Sequence, residues 1–183
     1  MRARESYPGR PCTELHSGMP PHHLSWQRRS VTRAIEAFHQ DELGDWVADL
    51  VCGHGQHVRH QPPFQMREWV LTPEGRATFL GAELDCVRCD RFELPPDFAP
   101  YQRSADFDEK TVPAGLLADH ATKSGVWGVV HVLAGRLTYV VEPPLAREMF
   151  VEAGQTAVIV PEVKHRVRPE GTVRFFVEFH RRP

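Results

Sequence analysis

Three cysteines limit what this chain can fold into. Cys52 opens the run Cys52-Gly53-His54-Gly55-Gln56-His57-Val58-Arg59-His60, and Cys86-Val87-Arg88-Cys89 follows downstream. Two cysteines separated by two residues can offer both thiolates to one ion from a single tight turn. Zn²⁺ takes four soft or borderline donors in a tetrahedron, so three cysteines and one imidazole complete a closed structural site. Cys52 with His54 is the compact pairing, because residues two apart project to the same side of an extended strand. His57 is the alternative fourth ligand, and His60 comes after it. A disulfide is the competing use of these cysteines. The whole chain has only 4 Cys in 183 residues, which is not a disulfide-rich composition, and the βαβ context of a redox C-x-x-C is missing. The expected cofactor is therefore a structural Zn²⁺ held by Cys52, His54, Cys86 and Cys89.

The surrounding text divides the chain. Residues 1–31 are rich in Pro, Arg, His and Ser, lack helical or strand periodicity, and are expected to be a disordered lead-in that carries Cys12 and the pair His22-His23. Residues 32–93 form the metal-binding unit. There a strand from about Thr32 turns through His39–Asp45 into the strand Trp46–Val51, and Thr72 is placed to cap a short helix. A unit this small buries little core, so the ion supplies stability. Leu94-Pro95-Pro96-Asp97-Phe98-Ala99-Pro100 is expected to be a linker, since its prolines cannot continue a helix or central strand. From residue 101 to 183 short apolar runs alternate with Gly and Pro, which predicts a mainly β antiparallel sandwich or barrel. In the last run Phe175, Val177 and Phe179 share one face, and Arg174, Phe176, Glu178 and His180 the other. Either face suits the barrel lumen. His131 is expected to be a packed core residue.

Net charge −2 with pI near 6.6 argues against a nucleic-acid partner. The sequence has no apolar run long enough to cross a membrane and no apolar secretion core near Met1, so a cytoplasmic protein without membrane contact is expected.

Two resemblances add to this. The run F-H-Q-D-E-x-G-D-W-V-A-x-L-x-C-G-H-G-Q-H-V-R-H-x-P-P-F, with the later L-x-C-x-x-C-D, is similar to a small bacterial family of uncharacterised zinc-ribbon-like domains over about residues 32–91. Val132-Leu133-Ala134-Gly135 and Gly154…Pro161-Glu162-Val163-Lys164-His165 resemble the two-motif signature of cupins, though no H-x-H and no Glu precede Gly135. That variant, with Phe175-Phe176-Val177-Glu178-Phe179, is similar to the tellurite-resistance-associated TehB/YeaR-like cupins over about residues 95–181. The resemblance implies a single cupin barrel (a double-stranded β-helix or jelly roll) and marks His120, Glu162, His165 and Glu178 as a candidate second metal site. Zn, Ni, Fe or Mn would suit such a set. Lys123, close to His120 in sequence, suits either neutralising an anionic ligand or simple solvation. Three functions follow as expectations: a metal-binding protein that takes a small molecule or oxyanion in a stress or detoxification role; a metal-dependent dioxygenase or isomerase; or a zinc-ribbon module for nucleic acid or protein. A homodimer is expected by analogy with cupins.

Overall fold

The computed structural model describes residues 30–58 and 67–183. The expectations for the lead-in, for Cys12 and His22-His23, and for His60 lie outside these residues.

The metal-binding unit is a meander. β1 (Thr32–Gln40) and β2 (Trp46–Leu50) pair antiparallel, with Phe38 opposite Ala48 and Gln40 opposite Trp46. Asp41 makes the intervening turn, its Oδ1 accepting from the backbone N–H of Leu43 and Asp45 at 2.9 Å. This is the local bonding that makes Asp a turn residue. β3 (Gly55–His57) adds to β2, and β4 (Glu83–Asp85) returns to β1, giving the order β3-β2-β1-β4. Between β3 and β4 lie a 3₁₀ turn (Glu68–Leu71) and α1 (Pro73–Thr78), whose Gly75 N–H is capped by Thr72 Oγ1 at 3.0 Å. α2 (Val87–Asp90) follows β4 directly. Its Asp90 accepts from Ser30 Oγ and Val31 N–H at 2.7 and 2.8 Å, tying the knuckle to the start of β1.

The rest is a two-sheet β structure with little helix. β5 (Ala99–Arg103), β6 (Phe107–Asp108) and α3 (Ala114–Leu117) lead into β7 (Trp127–Ala134) and β8 (Arg136–Val141). β9 (Arg147–Glu152), β10 (Thr156–Ile159), β11 (His165–Pro169) and β12 (Arg174–Arg181) complete it. One sheet runs β10-β7-β12-β5, with β6 also on β12, and the other runs β11-β8-β9. The expected apolar runs each overlap an observed strand. Gly135 turns β7 into β8 at φ +72°, where an added Cβ would lie 2.0 Å from the Thr172 carbonyl oxygen, so only glycine fits.

Register settles the face that strand alternation leaves open. Across β7 and β12, Val132 faces Phe175, Val130 faces Val177, and Gly128 faces Phe179. Val130, Val132, Phe175 and Val177 are all buried against the opposite sheet's Leu137, Tyr139 and Val151. On the reverse face His131 sits opposite Phe176 and Glu178 opposite Val129. His131 is therefore not the packed core residue expected. Its side chain is 31% exposed and stacks on Phe176 with centroids 4.5 Å apart.

Residues 94–100, expected to be a linker, belong to the packed structure. Phe98 is buried, Leu94 packs on the core, and Ala99 already starts β5 against β12. The prolines stop a helix, as their chemistry requires, without keeping the segment off the surface beneath it. One contiguous core joins Ile35, Leu50 and Cys89 of the first unit to Trp127, Val130 and Phe175 of the second.

Candidate functional site

Cys52 lies in the turn after β2, where Gly53 N–H donates to Leu50 C=O at 2.7 Å and Leu50 N–H to His54 C=O at 2.9 Å. That turn needs φ +89° at Gly53, and a Cβ there would collide with the Phe98 ring at 2.4 Å. Cys86 precedes α2 and its N–H donates to Val31 C=O at 2.8 Å, so pairing of β1 with its neighbours carries the knuckle to the Cys52 turn. The donor atoms of Cys52, His54, Cys86 and Cys89 all lie within 4.8 Å of one another, and all four residues are buried.

The spacing of the donors tests whether a metal fits. A tetrahedral zinc with Zn–S of about 2.3 Å and Zn–N of about 2.0–2.1 Å sets its sulfurs about 3.8 Å apart and each sulfur about 3.5 Å from the nitrogen. Cys52 Sγ and Cys86 Sγ are 3.8 Å apart, and His54 Nδ1 stands 3.5, 3.3 and 3.7 Å from the sulfurs of Cys52, Cys86 and Cys89. The residues fit the ion. Electrostatics agree: burial pushes the His54 imidazole down, but the sulfurs of Cys52 and Cys86 outweigh it and hold its pKa up at about 9. Hydrogen bonding to Cys52 and Cys89 holds the Cys86 thiol far below its ordinary value, whereas crowding by Cys52 and Cys86 pushes the Cys89 thiol far up. A divalent cation removes that conflict by letting every sulfur be a thiolate.

His57 does not join this cluster. It lies on β3, and its Nε2 is 2.8 Å from Asp41 Oδ2, a contact that holds the Asp41 carboxyl below the usual carboxylate range. The cluster instead leans on the barrel. Trp127 Nε1–H donates to the Cys52 carbonyl at 2.8 Å, and the Trp127 indole meets the His54 ring in a T-shaped contact at 5.4 Å. Arg33 of β1, itself buried, donates to the Pro161 carbonyl and approaches Glu162 at 3.5 Å.

The four residues marked in the barrel do not converge. His120 and His165 do meet. Their backbones exchange hydrogen bonds at 3.0 and 2.8 Å and their rings are 4.2 Å apart. Glu162, at φ +60°, points to Arg33 with its side chain 48% exposed. Glu178 lies on the reverse face of β12, where it accepts from His180 Nε2 at 2.9 Å and lies 4.0 Å from His131 Nε2. Among the described residues, the Cys52 cluster alone gathers three or more metal donors.

His120 and His165 line a cavity of about 610 Å³, within the range of small-molecule sites. Phe107, Leu116, Ile159, Val177 and Phe179 form much of its apolar wall, and Thr122 and Lys123 also line it. His165 is buried, and its Nδ1 lies 2.9 Å from the Val163 carbonyl. A carbonyl only accepts, so Nδ1 carries the proton and Nε2 presents a lone pair. Desolvation lowers the His165 pKa to about 4 and keeps the ring neutral. Among the described residues, nothing hydrogen-bonds to the buried atoms His165 Nε2 and Thr122 Oγ1. Thr122 escapes sequence reasoning because a threonine beside a turn is commonplace. Trp127 and Arg33 escape it because their partners are 75 and 128 residues away.

Comparison with known proteins places two domains on the chain. Residues 37–93 match DUF3565, a family of proteins of unknown function, and residues 102–177 match the TehB-like domain. Among solved structures, a protein from E. coli strain K12 is 24% identical, with a TM-score of 0.46, covering 50% of this chain and 97% of that one. TehB from Haemophilus influenzae is 21% identical at a TM-score of 0.43, covering 48% of this chain and 32% of that one. A cupin-2 domain protein from Shewanella frigidimarina is 15% identical at a TM-score of 0.30, covering 45% and 70%. No curated protein matches the chain. No helix among the described residues is long and apolar enough to cross a membrane.

Proposed function

We propose that this chain, a DUF3565 domain joined to a TehB-like domain, is a cytoplasmic zinc protein whose barrel binds a small molecule or oxyanion in a stress or detoxification role of the tellurite-resistance type. The tetrahedral spacing of Cys52, His54, Cys86 and Cys89 carries the reading of the first unit. With all four positions filled by protein donors, the ion would hold the fold together and leave no place for substrate. The barrel cavity supports the second half. Among the described residues it is lined by His120, His165 and Lys123 and by no acidic side chain, so it favours an anion.

A metal-dependent enzyme draws less support, because Glu162 and Glu178 point away from the histidine pair. A nucleic-acid module draws little. Arg76 stacks over Trp46 at 3.7 Å and donates to the Val70 carbonyl, so its guanidinium is already engaged.

Elemental analysis of the full chain tests the first part. Zinc equimolar with protein, lost in Cys86→Ser, is expected, and zinc-free protein with an intact fold overturns it. Tellurite sensitivity of cells lacking the protein tests the role, and unchanged sensitivity removes the detoxification reading.

A further inference from the structure

We infer that the barrel pocket takes an organic anion of one kind: a carboxylate with an apolar body and a hydroxyl beside the carboxylate. This inference deepens the reading of the barrel as a binding site and rests on it. Three features of the cavity define the ligand.

The first is the direction of hydrogen bonding. His165 spends its Nδ1 proton on Val163 and leaves Nε2 as a buried acceptor with no partner. His120 Nδ1 lies 3.0 Å from the Ala118 carbonyl and is oriented in the same way. A fully deprotonated oxyanion offers only acceptors, so it meets the Nε2 lone pair unfavourably. A ligand hydroxyl donates to it, and can accept in turn from Thr122 Oγ1, the second buried atom without a partner.

The second is charge. Lys123 is the cation of the lining, and no Asp or Glu stands among the lining residues to neutralise it. The ligand supplies the negative charge. The third is the remaining wall. Phe107, Leu116, Val126, Ile159, Val177 and Phe179 present apolar surface to a space of about 610 Å³. An inorganic ion leaves that surface wet, whereas an aryl or branched alkyl group dries it.

Histidine side-chain NMR and calorimetry on the full chain test this with four probes: 3-phenyllactate, 3-phenylpropanoate, 2-phenylethanol and tellurite. 3-Phenyllactate should shift the His165 ring signals and bind about tenfold more tightly than 3-phenylpropanoate, because only the former satisfies the buried acceptor. His165→Phe should erase that difference. Lys123→Gln, at an exposed position, should weaken both carboxylates and leave 2-phenylethanol unchanged. Equal affinity for the two carboxylates overturns the hydroxyl assignment and leaves the pocket standing. Binding of 2-phenylethanol alone overturns the anion assignment, and preference for tellurite overturns the class. If none of the four moves the His120 or His165 signals, the pocket reading fails as well.

Discussion

Replacing Trp127 with Phe tests whether metal cluster and barrel unfold together. Trp127 is fully buried, and its indole N–H donates to the Cys52 carbonyl at 2.8 Å. Phenylalanine keeps an aromatic ring in the core but removes the donor, leaving a buried carbonyl without its partner, at about 1–3 kcal/mol. The missing pyrrole portion opens a small void and costs about 1–2 kcal/mol more. A total near 3 kcal/mol corresponds, for a chain this size, to a melting temperature lower by about 6–12 °C. Circular dichroism follows the barrel strands while a chelating dye follows metal release. Both midpoints should fall together, because Cys52, Cys89 and Trp127 belong to one core. A barrel transition that stays in place while metal release moves would refute the coupling.

Three further outcomes are expected. Cys86→Ser should abolish stoichiometric metal and lower stability by several kcal/mol, since in such units metal binding is folding energy; elemental analysis and urea melts check both. Stability should depend on pH through His165. Its folded pKa of about 4 lies below an unfolded value near 6.5, so its stabilisation is complete above about pH 6.5. It is lost as pH falls toward 4, by about 3 kcal/mol, and this slope should be absent from urea titrations of His165→Phe. Gly135→Ala should cost more than about 2 kcal/mol in the same melts, from the positive φ and the collision with the Thr172 carbonyl.

Much of the Cys/His cluster was legible in the residues, because donor type and spacing narrow it to three cysteines and one nearby imidazole. Cys52, His54, Cys86 and Cys89 need two short turns and the pairing of β1 with both β2 and β4 to meet. The barrel strands were legible for a similar reason: Gly and Pro punctuate them and β-branched residues fill them. Alternation does not say which face of a strand looks inward, so Glu178 was open and His131 was misread as core until register put Phe175 and Val177 inside. Glu162 stands three residues before His165 of β11, yet at positive φ its carboxylate approaches Arg33. The prolines at 95, 96 and 100 reveal a break in regular structure but say nothing about Phe98 beneath them.

The reach of Arg33 has a consequence for synthesis on the ribosome. Its acceptor, the Pro161 carbonyl, lies 128 residues later in the chain. At about 5–20 residues per second, the first unit waits on the order of ten seconds before that acceptor is made. Cys52, Cys86 and Cys89 are all made within the first half of that interval, before the Trp127 indole and the Pro161 carbonyl that pack against the first unit. Order of translation therefore presents the four donors first, their contacts Trp127 and Pro161 next, and the closing strands β11 and β12 last.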